Sequence, residues 1–167
     1  MTIRDAREED LPAIIEIYNA AIATRTSTAF LGPVTIEERL PWFRRHSPGT
    51  FPLWVVEIES QIAGWLSFHE FIPRPAYNGA AEISIYVNEK FRRRGLGRTL
   101  LAQAIATSPT LNIRMLLGYI LGHNEASLAL FAQAGFERWG RLPRIARFEN
   151  AERDLVIVGR HIEMETA

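Results

Sequence analysis

This chain of 167 residues contains no cysteine. Disulfides, thiolate metal centres and any mechanism that passes through an acyl-cysteine are therefore excluded. It also lacks a charge bias, with 19 Lys plus Arg against 19 Asp plus Glu. Without a global field of one sign, neither nucleic acid nor an anionic membrane is an expected partner. Nowhere do about twenty apolar residues run together, the length a spanning helix needs. The start, Met1-Thr2-Ile3-Arg4-Asp5, has no apolar core of signal-peptide length. A soluble cytoplasmic protein is the expectation. His46, His69, His123 and His161 show no His-Glu-x-x-His spacing, so no metal is expected and surface or locally satisfied roles are. No Gly-x-Ser-x-Gly elbow supports serine hydrolysis, and no Gly-Lys-Ser/Thr completes a Walker loop.

The length suits one domain over residues 1–167, built on a single core. After a short strand near Ile3, the residues Leu11, Ile14, Ile15, Tyr18 and Ile22 recur at helical spacing behind Asp10 and Pro12. Thr35-Ile36-Glu37-Glu38 has the form of a capping box and predicts a second helix from Ile36 to about Arg45. Leu53–Ile58 and Ile62–Phe68 read as a hairpin across Glu59-Ser60-Gln61. The prolines at 73 and 75 exclude strand interior, so residues 72–79 form a surface loop ahead of a strand from Ala81 to Val87. A helix follows Gly97 and ends before Pro109, then a buried strand spans Met115–Ile120. A last helix runs from about Glu125 to Ala134, stopped by Gly135, and closing antiparallel strands complete the chain.

The chemistry concentrates at Arg92-Arg93-Arg94-Gly95-Leu96-Gly97, a basic glycine-bearing turn between a strand and a helix. Glycine lets backbone approach an anion, and the free N–H groups and dipole of a helix start favour negative charge. A phosphate-bearing cofactor and a solvated basic corner are the two readings of that run by itself.

Together with Asn124-Glu125-Ala126-Ser127-Leu128 and Ala134-Gly135-Phe136, the turn resembles the GNAT N-acetyltransferase family. Its acetyl-CoA loop, Arg/Gln-x-x-Gly-x-Gly/Ala, is matched by Arg92, Gly95 and Gly97. The resemblance implies an α/β (α+β) fold with a mostly antiparallel mixed sheet, flanked by helices. Its fourth and fifth strands would be a parallel pair that splays apart around the thioester. The cofactor residues it implies are Ile85, Tyr86 and Val87 for the pantetheine arm, Arg92, Arg93, Arg94, Gly95, Leu96, Gly97 and Arg98 for the phosphates, and Asn124 and Ser127.

Within the family the chain is most similar to the phosphinothricin and methionine sulfoximine acetyltransferase branch. The matching order is Tyr18-Asn19, Thr28-Ala29-Phe30, Arg74-Pro75-Ala76-Tyr77, Ala81-Glu82 and Arg153-Asp154. Glu82 is then the general base, and Phe30, Arg74, Tyr77 and Glu82 meet a small α-amino acid. Arg74 is expected to grip its carboxylate through two parallel hydrogen bonds. The alternatives are a peptide N-terminal or polyamine acetyltransferase and a non-catalytic acyl-CoA-binding module. A homodimer is also implied, with the apolar residues Trp42 and Phe43 as a candidate contact.

Three departures from the pattern stand out. Phe131 occupies the place of the family's proposed tyrosine acid, where the branch has histidine, and it carries no proton to give; Tyr119 or water is the substitute. Leu31 follows Phe30 where a glutamate is usual, and Glu152 stands near a usual tryptophan.

Overall fold

Strict alternation in the central strands sorts their side chains onto two faces, and each face gathers its own helices. In the computed structural model, which describes residues 1–164, the strands are β1 (Thr2–Asp5), β2 (Leu53–Ile58), β3 (Gln61–Glu70), β4 (Ala80–Val87), β5 (Met115–Leu121), β6 (Glu137–Phe148) and β7 (Ala151–His161). They form one sheet in the order β1-β2-β3-β4-β5-β7-β6. The helices are α1 (Leu11–Ala23), α2 (Ile36–Arg44), α3 (Leu96–Thr107) and α4 (Glu125–Gln133). No helix among the described residues is long and apolar enough to cross a membrane. No group of three or more His, Asp or Glu among those residues is placed to hold a metal.

On one face Trp54, Val56, Leu66, Phe68 and Ile83 pack against Leu100, Leu101 and Ala104 of α3 and Phe131 of α4. On the other, Leu53, Val55 and Trp65 meet Leu11, Ile14, Tyr18 and Ile22 of α1 and Trp42 of α2. Leu100 and Leu101 are fully buried, so truncating either to alanine would cost about 2–5 kcal/mol through lost transfer energy and a residual cavity. Trp42 is 8% exposed, because it seals α2 onto the sheet. The expectation that it lies on an open dimer surface is corrected accordingly.

Local signals set the helix ends. In α2 the Thr35 hydroxyl accepts from the Glu38 N–H at 3.2 Å, and the Glu38 carboxylate accepts from the Thr35 N–H at 2.8 Å. Asn19 of α1 holds the segment entering α2 through two bonds to Val34, its amide donating at 3.0 Å and its oxygen accepting at 2.9 Å. That pair fixes where α2 crosses the sheet. Gly135 ends α4 with φ +78°, the left-handed value at which a side chain is strained.

The pair β4 and β5 is parallel over three positions only, Ala80 with Met115, Ala81 with Leu116 and Glu82 with Leu117. Beyond Glu82 the strands part: β5 continues on β7 alone and β4 on β3 alone. The splayed pair implied by the resemblance is therefore present, and it opens at Glu82.

Candidate active site

The antiparallel register of β3 and β4 pairs Trp65 with Tyr86, Ser67 with Ser84 and His69 with Glu82. Period-2 alternation places all six on one face of the sheet. Tyr18 of α1 and Arg39 and Trp42 of α2 flank them, forming an open cavity of about 250 Å³. Its walls are aromatic and mutually braced. Tyr18 stands edge-on to Tyr86 at 5.1 Å, Trp42 to Trp65 at 5.7 Å, and the Trp65 indole N–H donates to the Ile14 carbonyl at 3.1 Å. The Tyr18 and Thr28 hydroxyls are hydrogen-bonded at 3.0 Å, which ties the loop before Phe30 to the same wall.

Glu82 is the acidic member of this cavity. Among the described residues nothing hydrogen-bonds its carboxylate, and burial pushes its pKa up to about 7. A carboxyl that titrates near neutrality is suited to general-base work, since it is deprotonated in quantity yet still basic enough to take a proton. Its cross-strand neighbour His69 shares a hydrogen bond with the Ser67 hydroxyl at 2.9 Å, and burial lowers its pKa to about 4. His69 is therefore neutral where Glu82 titrates. The sequence reading assigned it no part in a site, because an isolated histidine carries no local pattern; its register opposite Glu82 is what places it here.

A second recess opens on the β5 side of β4. Ile83 to Tyr86 face Gly118, Tyr119 and Ile120 across the splayed gap, closed below by Asn124, Ser127 and Phe131. Gly118 is necessary to that floor, since a Cβ there would lie 2.9 Å from the Phe131 ring. The gap runs into a larger groove of about 370 Å³ lined by Ile85, Tyr86, Val87, Arg92, Gly97, Asn124 and Ser127. Ser84 and Tyr86 line both the gap and the cavity of Glu82, so the two compartments meet at β4.

At the mouth of the groove, Gly95 precedes α3 with φ +77° and Arg93 has φ 62°. The backbone thus turns sharply, and the first helical hydrogen bond is Thr99 N–H to Gly95 O, leaving the N–H groups of Leu96, Gly97 and Arg98 without backbone partners. Arg92, Arg93, Arg94 and Arg98 are exposed around that end. Such an N-terminus favours an anion by both hydrogen bonding and dipole. Asn124 is 7% exposed and caps α4, its side-chain oxygen accepting from Ser127 N–H at 3.1 Å. Its side-chain NH₂ is left for another acceptor. Tyr119 is 37% exposed on β5, and burial together with the Glu82 charge holds its pKa above the ordinary phenol value.

Not every expected residue converges. Phe30 is 45% exposed and stands edge-on to Tyr18 at 5.7 Å, at the rim of the cavity. Arg74 and Tyr77 flank a short 3-10 turn on an exposed loop, Tyr77 against Phe71 at 5.8 Å, and neither lines the Glu82 cavity. Arg39, absent from the sequence reading, does line it. A single arginine in a capped helix has no signal of its own; helical spacing from Trp42 was the available clue. A further open groove of about 760 Å³ beside α3 and α4 includes Arg98, Gln133 and Arg160 and shares no residue with the cavity of Glu82.

Comparison with known proteins agrees with this geometry. Residues 14–136 match the model of the Acetyltransferase (GNAT) family. A protein of Bacillus subtilis (strain 168), YwnH, provisionally named a phosphinothricin acetyltransferase, is 46% identical over 163 residues, covering 97% of this chain and 99% of that one. The L-methionine sulfoximine/L-methionine sulfone acetyltransferase of Pseudomonas aeruginosa (strain PAO1) is 31% identical over 147 residues, 87% of this chain and 86% of its own. The crystal structure of a GNAT superfamily phosphinothricin acetyltransferase from Sinorhizobium meliloti in complex with AcCoA superposes with a TM-score of 0.90 at 26% identity, covering 96% of this chain and 88% of the other. With its sheet parting at Glu82, and with a matched segment that takes in both compartments from α1 to the end of α4, the chain belongs to the GNAT acetyltransferase family.

Proposed function

We propose that this enzyme transfers the acetyl group of acetyl-CoA to the α-amino group of a small amino acid of the methionine sulfone, methionine sulfoximine or phosphinothricin type. The observation that carries the reading is the meeting of the two compartments at β4, with Glu82 on one side and the splayed gap on the other. The recess of Glu82, at about 250 Å³, has room for a small amino acid. The names of the relatives support the same substrate class.

The residues present fit the cofactor. Its pyrophosphate suits the free N–H groups of Leu96, Gly97 and Arg98, with Arg92, Arg93 and Arg94 around them and Gly95 making the turn. The pantetheine arm suits the unpaired edge of β4 at Ile85, Tyr86 and Val87, with Asn124 and Ser127 opposite. The groove between α3 and α4 at Arg98 continues from this one through Leu130 and suits the nucleotide end.

Acetyl-CoA supplies the acetyl group activated as a thioester. The Glu82 carboxylate takes a proton from the acceptor ammonium, freeing the nitrogen lone pair for the carbonyl carbon. Backbone N–H groups of the parted β4 edge donate to the carbonyl oxygen as charge develops there. The nitrogen adds to the carbonyl carbon, the C–S bond then breaks, and the second proton shed by the nitrogen passes to the departing thiolate through the Tyr119 hydroxyl, which lines the gap and is left protonated. Phe30 contacts the acceptor from the rim, and Arg74 and Tyr77, on their exposed loop, are assigned to its outer end. A homodimer belongs to this reading, formed on the edge strand β6, where Trp139, Leu142 and Ile145 are exposed.

The test is thiol release from acetyl-CoA with methionine sulfone, methionine sulfoximine, phosphinothricin, the free amino acids, short peptides and polyamines. Turnover with the sulfone or sulfoximine class supports the reading. Turnover only with peptides or polyamines refutes it.

A further inference from the structure

The cavity of Glu82 contains a cation whose side chain has no ion-pair partner among the described residues. The Arg39 guanidinium lies over the Trp42 ring at 4.2 Å, over Tyr18 at 4.9 Å and over Phe30 at 5.8 Å. Those three rings surround it and partly desolvate it, and burial lowers its pKa. Arg4, by comparison, is held by Asp10 at 2.7 Å and by Glu57 at 3.1 Å. Among the described residues the Arg39 side chain has neither an ion pair nor a hydrogen bond, its backbone N–H alone donating, to the Thr35 carbonyl at 3.2 Å. Its donors sit in the wall of a small recess whose other titratable members do not balance its charge. Glu82 is half protonated near neutrality, and His69 is neutral there. A guanidinium held beside aromatic rings and short of acceptors has its donor fork left for a carboxylate, which arginine binds through two parallel hydrogen bonds.

We propose that Arg39, rather than Arg74, receives the α-carboxylate of the acceptor. The inference rests on the α-amino acid reading above. Such a molecule carries amine and carboxylate on one carbon, so within one small cavity it meets Glu82 with the first and Arg39 with the second. Arg39 thereby selects zwitterionic amino acids over amides, peptides and simple amines, and it turns the nitrogen toward β4. Arg74, exposed on its loop, is left for the side-chain end.

The experiment compares acetylation of L-methionine sulfone with that of its carboxamide, using the wild type, Arg39→Met, Arg39→Lys and Arg74→Ala. Methionine keeps the apolar stem on Trp42 and removes the charge. The expected result is a rise of about a hundredfold in KM for the acid in Arg39→Met, the scale of losing one partner of a desolvated charge pair. Its kcat changes much less, and its KM for acetyl-CoA and its rate with the amide do not move. Arg39→Lys falls between, and Arg74→Ala keeps the preference for acid over amide. Retention of that preference in Arg39→Met, or its loss in Arg74→Ala, overturns the proposal. A second arm needs no turnover: N-acetyl-L-methionine sulfone is titrated against tryptophan fluorescence, which Trp42 and Trp65 report from the cavity wall. Saturable quenching in the wild type and none in Arg39→Met supports the carboxylate site even if the assay panel refutes the substrate class. Equal curves, or no quenching in either, overturn it.

Discussion

The two compartments on either side of β4 are built in opposite ways. The cofactor side is anchored on one contiguous stretch, the strand edge, turn and helix start from Ile85 to Gly97, which meets Ala21, Thr24, Thr26 and Ser27 from the end of α1 and the loop after it, and Asn124, Ser127 and Phe131 at α4. It presents the parted edge of β4 and the start of α3, with Arg92 in its wall. The acceptor side is assembled from four separated pieces, Tyr18 from α1, Arg39 and Trp42 from α2, Ser67 and His69 from β3 and Glu82 from β4. It is small, aromatic and made of side chains. A backbone cradle can serve any acyl-CoA enzyme of this fold, whereas a side-chain cavity is where acceptor specificity is set. The two halves should therefore fail separately when mutated.

The largest effect expected is on chemistry at their junction. Glu82→Gln should lower kcat by about 10²–10⁴, the usual contribution of a positioned base, while the Kd for acetyl-CoA measured by calorimetry stays within a factor of two or so. A fall in cofactor affinity of similar size would mean that the compartments are not independent. Gly95→Ala should act on the other half. Its φ of +77° is strained for any side chain, costing about 1–2 kcal/mol, or about tenfold in the KM for acetyl-CoA, with the KM for methionine sulfone unchanged.

A smaller effect concerns stability. The folded pKa of Glu82, about 7, lies above its unfolded value, so between the two the folded state binds more protons and stability declines as pH rises. The contribution is intact below the unfolded pKa and lost as pH passes through about 7. Glu82→Gln should thus melt near the wild type at pH 5 and above it at pH 8, by roughly 2–4 °C for each kcal/mol of charge burial relieved. Equal melting points at pH 8 would remove the argument for a desolvated carboxylate. Smallest is the capping box of α2. Thr35→Ala should cost about 1 kcal/mol, read by chemical denaturation, and should affect the acceptor KM more than that of the cofactor because α2 carries Arg39.

The same contrast decided what was legible in the sequence. The turn from Arg92 to Gly97 was readable because its glycines, its charges and its strand-to-helix context are neighbours in the chain. The helices α1 and α2 and the strand pair β2 and β3 followed from period and caps, to within a few residues at each end. Gly135 was readable as a stop because a left-handed cap has few occupants. The acceptor cavity was not. Glu82 was found through its place in a family pattern, but its partners depend on the register of β3 against β4 and on where Asn19 holds the approach to α2. No local rule states either. Hence Trp42 looked like surface, His69 looked incidental, and Arg39 passed unmarked.

The measurement that bears most directly on the account is the pH dependence of kcat/KM for methionine sulfone in the wild type and in Glu82→Gln. Glu82 must be ionised to accept the ammonium proton, so the wild-type profile should climb about tenfold per unit at low pH, bend near pH 7 and level off. The variant should lack that bend and rise until the amine itself titrates. A wild-type profile without a break near neutrality, or a break that survives in Glu82→Gln, would contradict the assignment of Glu82 as the base at the meeting point of the two compartments.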